Sequence, residues 1–257
     1  MLRALDPKYF TKATGQVLIQ KEGEDFWRNI GSVNNFTLTP TVEKEEIFSN
    51  EYPTPTVVTT RVTTTSVSLS LEAGQLGNVM RAWSLMSDDG VKTQAAATAQ
   101  TKTYATVNYK HKPIYNVGAL KITNVSVKDA SSAGTFVEGT HYVVHAASGD
   151  VQLLQKPSDA GDGVIITYDV PAITADDESG RFGILQNTAI TAKFRFVGMS
   201  AAGVQEMATI HKVEITPSGD RAFMSGSENA TITITGNCVP DTSQPEGYQI
   251  GVVETLN

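Results

Sequence analysis

The residues that could carry chemistry are few and scattered. Of the four histidines, His111, His141, His145 and His211, only His141 and His145 are close in sequence. Their four-residue step would make a metal pair on a helix. They lie in a strand-patterned hairpin, where that step means the same face about two strand repeats along. No cysteine or carboxylate frames them at zinc spacing, so no metal site is expected. The acidic turns 159–163 and 176–180 lack the alternation of oxygen ligands, closed by a glutamate, that a calcium loop needs. Glu43, Glu45 and Glu46 surround Lys44 and read as the solvated face of an extended segment rather than as an acid–base pair. The single cysteine, Cys238, has no base beside it in sequence and excludes an internal disulfide. There is no nucleophile elbow, phosphate-cradling glycine loop or HExxH. The expectation is a protein that is not an enzyme, with no catalytic residues and no cofactor.

What the chain does carry is pattern. In 61–87, RVTTTSVSLSLEAGQLGNVMRAWSLMS, Val67, Leu69 and Leu71 alternate with Ser66, Ser68 and Ser70, as in a half-buried strand. After Gly74 the period changes. Leu76, Val79, Met80, Trp83 and Met86 fall at helical steps and predict a helix over about 75–87, with Gly90 as the residue able to take positive φ behind it. These five are its core face. A strand leading into one helix within a β-patterned chain predicts a mainly β fold, a two-sheet sandwich or barrel with one flanking α-helix.

Further strands are expected at 15–21, 26–30, 36–48, 101–107, 120–129, 164–168, 189–197, 205–215, 231–236 and 249–256. Pro40 marks the 36–48 strand as an edge or bulge. The hairpin HYVVHAASGDVQLLQ turns at Ser148-Gly149-Asp150. Residues 118–179 read as an inserted β subdomain, and 1–117 with 180–257 as the domain it interrupts. Two stretches have apolar residues without a period. Residues 1–14 carry Leu2, Leu5, Tyr9 and Phe10 and read as an arm that packs on its own domain or on a neighbour. Residues 49–60, SNEYPTPTVVTT, hold Tyr52, Pro53, Pro55, Val57 and Val58 and read as a stiff loop, folded back on its domain or making a subunit contact. Leu5, Tyr9, Phe10, Tyr52, Pro53, Pro55, Val57 and Val58 are the candidate assembly residues.

The totals are those of a folded chain: 257 residues, 40% hydrophobic and 18% charged. A net charge of −7 argues against a surface that coats nucleic acid. No apolar run is long enough to span a bilayer, and residues 1–15 have no secretory signal core.

NNFTLTPTVEKEEIFSNEYP followed by the 61–87 segment resembles the tail tube (major tail) proteins of long-tailed bacteriophages: a strand ending in a Glu/Lys run, a long loop, a "vslsl" strand, and a helix holding the Gly77-Asn78 step. The block FVEGTHYVVHAASGDVQLLQ…GDGVIITYDV resembles a β module of phage structural proteins. The resemblance implies subunits in hexameric rings, with sheets joined into an inner barrel and rings stacked into a tube. Double-stranded DNA would pass through the lumen without specific binding. It further implies a virion location after synthesis in the bacterial host's cytoplasm. Tail terminator, tape measure and baseplate or tip proteins would be partners, with no membrane partner. The other reading is a β-sandwich binding or adhesion module on a virion or cell surface.

Overall fold

The computed structural model describes residues 14–49, 51, 54, 56–131, 134–177, 179–198, 205–224 and 230–256. The chain is mainly β, with antiparallel sheets and, among the described residues, one α-helix, and has two compact units. One unit comprises the residues up to Gly90 and from Arg181 onward; the other is Val91–Gly180. The insertion therefore begins at Val91 rather than at residue 118. The Ala/Thr-rich strand Ala97–Tyr104 belongs to the second unit, because it pairs with Val164–Val170.

The first unit is built on an eight-stranded sheet. Its strands are β1 (Gly15–Lys21), β2 (Arg28–Asn29), β3 (Val33–Ser49), β4 (Thr56–Ala73), β13 (Thr191–Gly198), β14 (Gln205–Pro217), β15 (Ile232–Cys238) and β16 (Gly251–Leu256). The order is β2-β1-β13-β14-β15-β4-β3, with β16 pairing β14. β14 thus takes β16 along 205–210 and β15 along 213–217. The sheet curls over its own core. Phe36 of β3, at one edge, stacks on Phe194 and Phe196 of β13, with centroids 6.4 and 6.1 Å apart. Ile19, Leu69, Leu71, Phe194 and Ile234 are fully buried between the two halves. Bulges in β3/β4 and β13/β14 help a sheet bend this sharply. As Pro40 foretells, β3 is an edge strand, where an absent N–H breaks no central ladder.

The helix α1 (Asn78–Trp83) is shorter than the pattern predicts. It closes the core with Met80, Ala82 and Trp83, whose ring lies 6.2 Å from that of Phe194, while Leu76 and Val79 pack on the core half-buried. Its end is set by Met86 rather than Gly90. Met86 takes φ +52°, with Met86 N–H donating to the Trp83 carbonyl and Ser87 N–H to that of Ala82. This is the paired bonding of a Schellman ending, with a buried methionine where glycine is usual.

The second unit has two three-stranded sheets around its own core. β7 (Ile114–Asn116), β10 (Asp150–Leu153) and β9 (Tyr142–His145) form one, and β6 (Ala97–Tyr104), β11 (Val164–Val170) and β8 (Thr123–Asp129) the other. In β11 every second residue, Val164, Ile166, Tyr168 and Val170, is buried. The β9–β10 turn uses Gly149 at φ +73°. The two-residue strands β5 (Gly90–Val91) and β12 (Gly180–Arg181) carry the chain in and out.

Candidate assembly surface

The strand pair β3/β4 is longer than the sheet it belongs to. β15 pairs β4 only over Val67–Ala73. From Thr56 to Ser66, β4 has no strand partner but β3 among the described residues, and the two continue as a free ribbon about 35 Å long at ~3.3 Å per residue. The stiff loop expected over 49–60 is therefore strand at Ser49 and over 56–60. Ser49 closes β3 opposite Thr56, and Val57–Thr60 pair back toward Phe48 and Glu46, as β-branched residues favour. Among the candidate assembly residues, Val57 and Val58 stand on this ribbon. Leu5, Tyr9, Phe10, Tyr52, Pro53 and Pro55 lie outside the described residues.

The register shows which face is exposed. Phe36 and Leu38, opposite Leu71 and Leu69, face the core. Two-residue steps carry that face outward through Pro40 opposite Val67, Val42 opposite Thr65, Lys44 opposite Val62, Glu46 opposite Thr60, and Phe48 opposite Val57. The core face of the hairpin thus runs off the body into solvent. Phe48 and Val62 are each 52% exposed, and Val58, at the bulge between Ile47 and Phe48, is 65% exposed. Covering a valine or phenylalanine side chain fully is worth about 1.5–3 kcal/mol. Val42, Phe48, Val57 and Val62 share this face and are each roughly half exposed, so together they offer on the order of 3–6 kcal/mol to a surface that covers them. The opposite face is polar apart from Ile47 at its outer end: Glu43 faces Thr64, and Glu45 meets Arg61 at 2.8 Å. The glutamate run is thus solvated and offers no paired acid and base.

At the ribbon's root the sandwich stays open. A groove of about 260 Å³ is lined by Leu38, Val67, Ile210, Cys238, Ile250 and Val253. Burial of Cys238 pushes its thiol up to about 11, away from nucleophile chemistry. In the second unit, His141 Nδ1 accepts the Val137 N–H at 3.0 Å, and its ring meets Phe136 edge-on. Among the described residues no three His, Cys, Asp or Glu side chains gather as metal ligands. No helix of the described residues is long and apolar enough to cross a membrane.

Residues 10–252 match the model of a family described as "Protein of unknown function UCP028589". The chain belongs to that family. The matched span takes in all of Val91–Gly180, so the second unit is part of what the family model describes. Among curated proteins there is no match.

Sequence reasoning missed the length of the hairpin. The signal was present as the β-branched run Thr56–Thr65, but with threonine on both faces it shows no alternation.

Proposed function

We propose that the protein is a structural subunit that works by binding copies of itself, and that it builds the tail tube of a long-tailed bacteriophage. In this reading it forms hexameric rings that stack around a lumen for double-stranded DNA. The observation that carries the proposal is the apolar face of the β3/β4 ribbon, which leaves the body of the first unit uncovered. A lone soluble protein seldom displays such a stripe, and a free two-strand edge invites pairing with another chain. An assembling subunit needs both. The acidic net charge suits a bore that DNA must leave without sticking. The order of segments along the chain resembles that of tail tube proteins, and this narrows self-association to a tube.

Negative-stain microscopy and sedimentation of the concentrated protein test this reading. Rings or tubes are expected. Monomers at all concentrations, salt conditions and temperatures tried would refute it.

A further inference from the structure

The ribbon needs a place to land, and the first unit carries a surface of matching chemistry beyond the far end of β4. Arg81 lies in the last turn of α1, exposed to solvent. Arg221 comes up beside it and donates through Nη1 to the Arg81 carbonyl at 2.9 Å and to Ser84 Oγ at 3.0 Å, capping the helix end. The Arg221 guanidinium is thereby held against the backbone of Arg81. Burial first, and then the charge of Arg81 nearby, lowers the pKa of Arg221. Neither forms an ion pair with a carboxylate among the described residues. Apolar groups surround them. Phe223 lies under the Arg221 guanidinium at 4.7 Å yet is 79% exposed, and Met224 is 93% exposed. On the same turn, Leu185 N–H donates to the Leu85 carbonyl at 2.8 Å, which presents exposed Ile184 and Leu185. Like charges with no carboxylate paired to them among the described residues, set in apolar side chains, fit a partner that is both acidic and apolar.

The outer half of the ribbon is such a partner. Residues 46–60 contain Glu46 and Glu51 and no lysine or arginine. Glu46 shares its face with Phe48 and Val57. A ribbon cannot reach the patch of its own molecule, because the 18 residues of β4, about 60 Å of strand, lie between them. The partner must be a second copy.

We infer that the surface around Arg81, Arg221, Phe223 and Met224 receives the outer strands of the β3/β4 ribbon, Glu46–Phe48 and Val57–Thr60, of another copy of this chain, a head-to-tail contact. It rests on the self-association proposed above and names the acceptor. Donor and acceptor are different surfaces, so the contact is heterologous and propagates into rings or filaments rather than closing at a dimer.

Complementary variants test it. A copy with Phe48→Ser and Val57→Ser keeps the patch and loses the ribbon. A copy with Arg81→Glu and Met224→Ser keeps the ribbon and loses the patch. Both side chains of the second variant are on the surface, and the Arg81 carbonyl used by Arg221 is retained. Unchanged melting curves establish that each folds. Each alone should sediment as a monomer, and an equimolar mixture should yield a one-to-one dimer through its single intact pair of surfaces. Restoring charge in the opposite sense, Glu46→Arg with Arg81→Glu, should recover at least tenfold in association over Arg81→Glu alone. If the wild type assembles and the patch variant assembles equally well, the acceptor is wrong while self-association stands. A mixture that stays monomeric also overturns it. A wild type that never associates sinks both readings.

Discussion

Phe36 of β3 stacks on Phe196 of β13 with ring planes 15° apart, whereas Phe48, on the same face of the same strand, is 52% exposed. One strand thus supplies both the closure of a core and a bare apolar arm. The pleat accounts for this, since β3 alternates without interruption from Asn35 to Ser49 while the extra residues of both bulges lie in β4. The arm is where the first unit's own packing ends.

Association should fail without loss of fold when that arm is made polar. Phe48→Ser with Val62→Thr is expected to leave thermal stability within about 0.5 kcal/mol, as surface changes do. The same variant should abolish rings in the microscope. Assemblies of normal yield would show that the stripe is not used.

Trp83 is 1% exposed and holds α1 against Phe194. Trp83→Ala should destabilise the first unit by about 3–5 kcal/mol, the range for aromatic truncation in a core. Urea titration followed by near-ultraviolet circular dichroism would report the loss. A change under 1 kcal/mol would mean that the helix is not a structural lid.

Gly149 should be intolerant of any side chain. It sits at φ +73°, and an added Cβ would fall on the Ala119 carbonyl oxygen, which is backbone and cannot swing aside. Gly149→Ala is expected to cost more than 1 kcal/mol and to unfold the second unit before the first. Hydrogen exchange across Val164–Val170 would rise while exchange across Leu69–Ala73 stayed slow. Equal protection in wild type and variant would contradict this.

Cys238 gives a pH signature. Its thiol is held protonated up to about 11 when folded, against an ordinary value of 9.0. A raised folded pKa means that the contribution is complete below pH 9 and drains away as pH rises through 11. Native protein at pH 7.5 should therefore resist thiol reagents, and urea should expose one thiol per chain. Stability should fall between pH 9 and 11 by more in the wild type than in Cys238→Ala. Rapid native labelling at neutral pH would oppose the assignment.

The legible parts of the fold were those with short apolar runs bounded by turn residues. Val17-Leu18-Ile19 and Val164-Ile165-Ile166 mark strands, and the structure makes Gly15–Lys21 and Val164–Val170 strands, the second two residues longer than expected. Ala97–Tyr104 is exposed along most of its length, so it has no apolar face to announce it, and the second unit's start was set too late. The helix overran in prediction because Met86 reads as a core residue, which it is, while its left-handed backbone leaves no mark on the sequence. Val57 and Val58 could be singled out for assembly from their composition, but their place on a ribbon depends on a register with two bulges. Arg81 and Arg221 stand far apart in sequence, and no local pattern joins them.

The junction between β5 and β12 has a consequence of another kind. Gly90 lies against the Arg181 backbone, and the Lys92 N–H meets the Ser179 carbonyl at 2.7 Å, so the chain departs and returns through one narrow doorway. That doorway works as a socket. A foreign cassette whose termini lie about 5 Å apart could be plugged in without rerouting any of the eight strands. A particle made of many such subunits would then carry one graft on every building block.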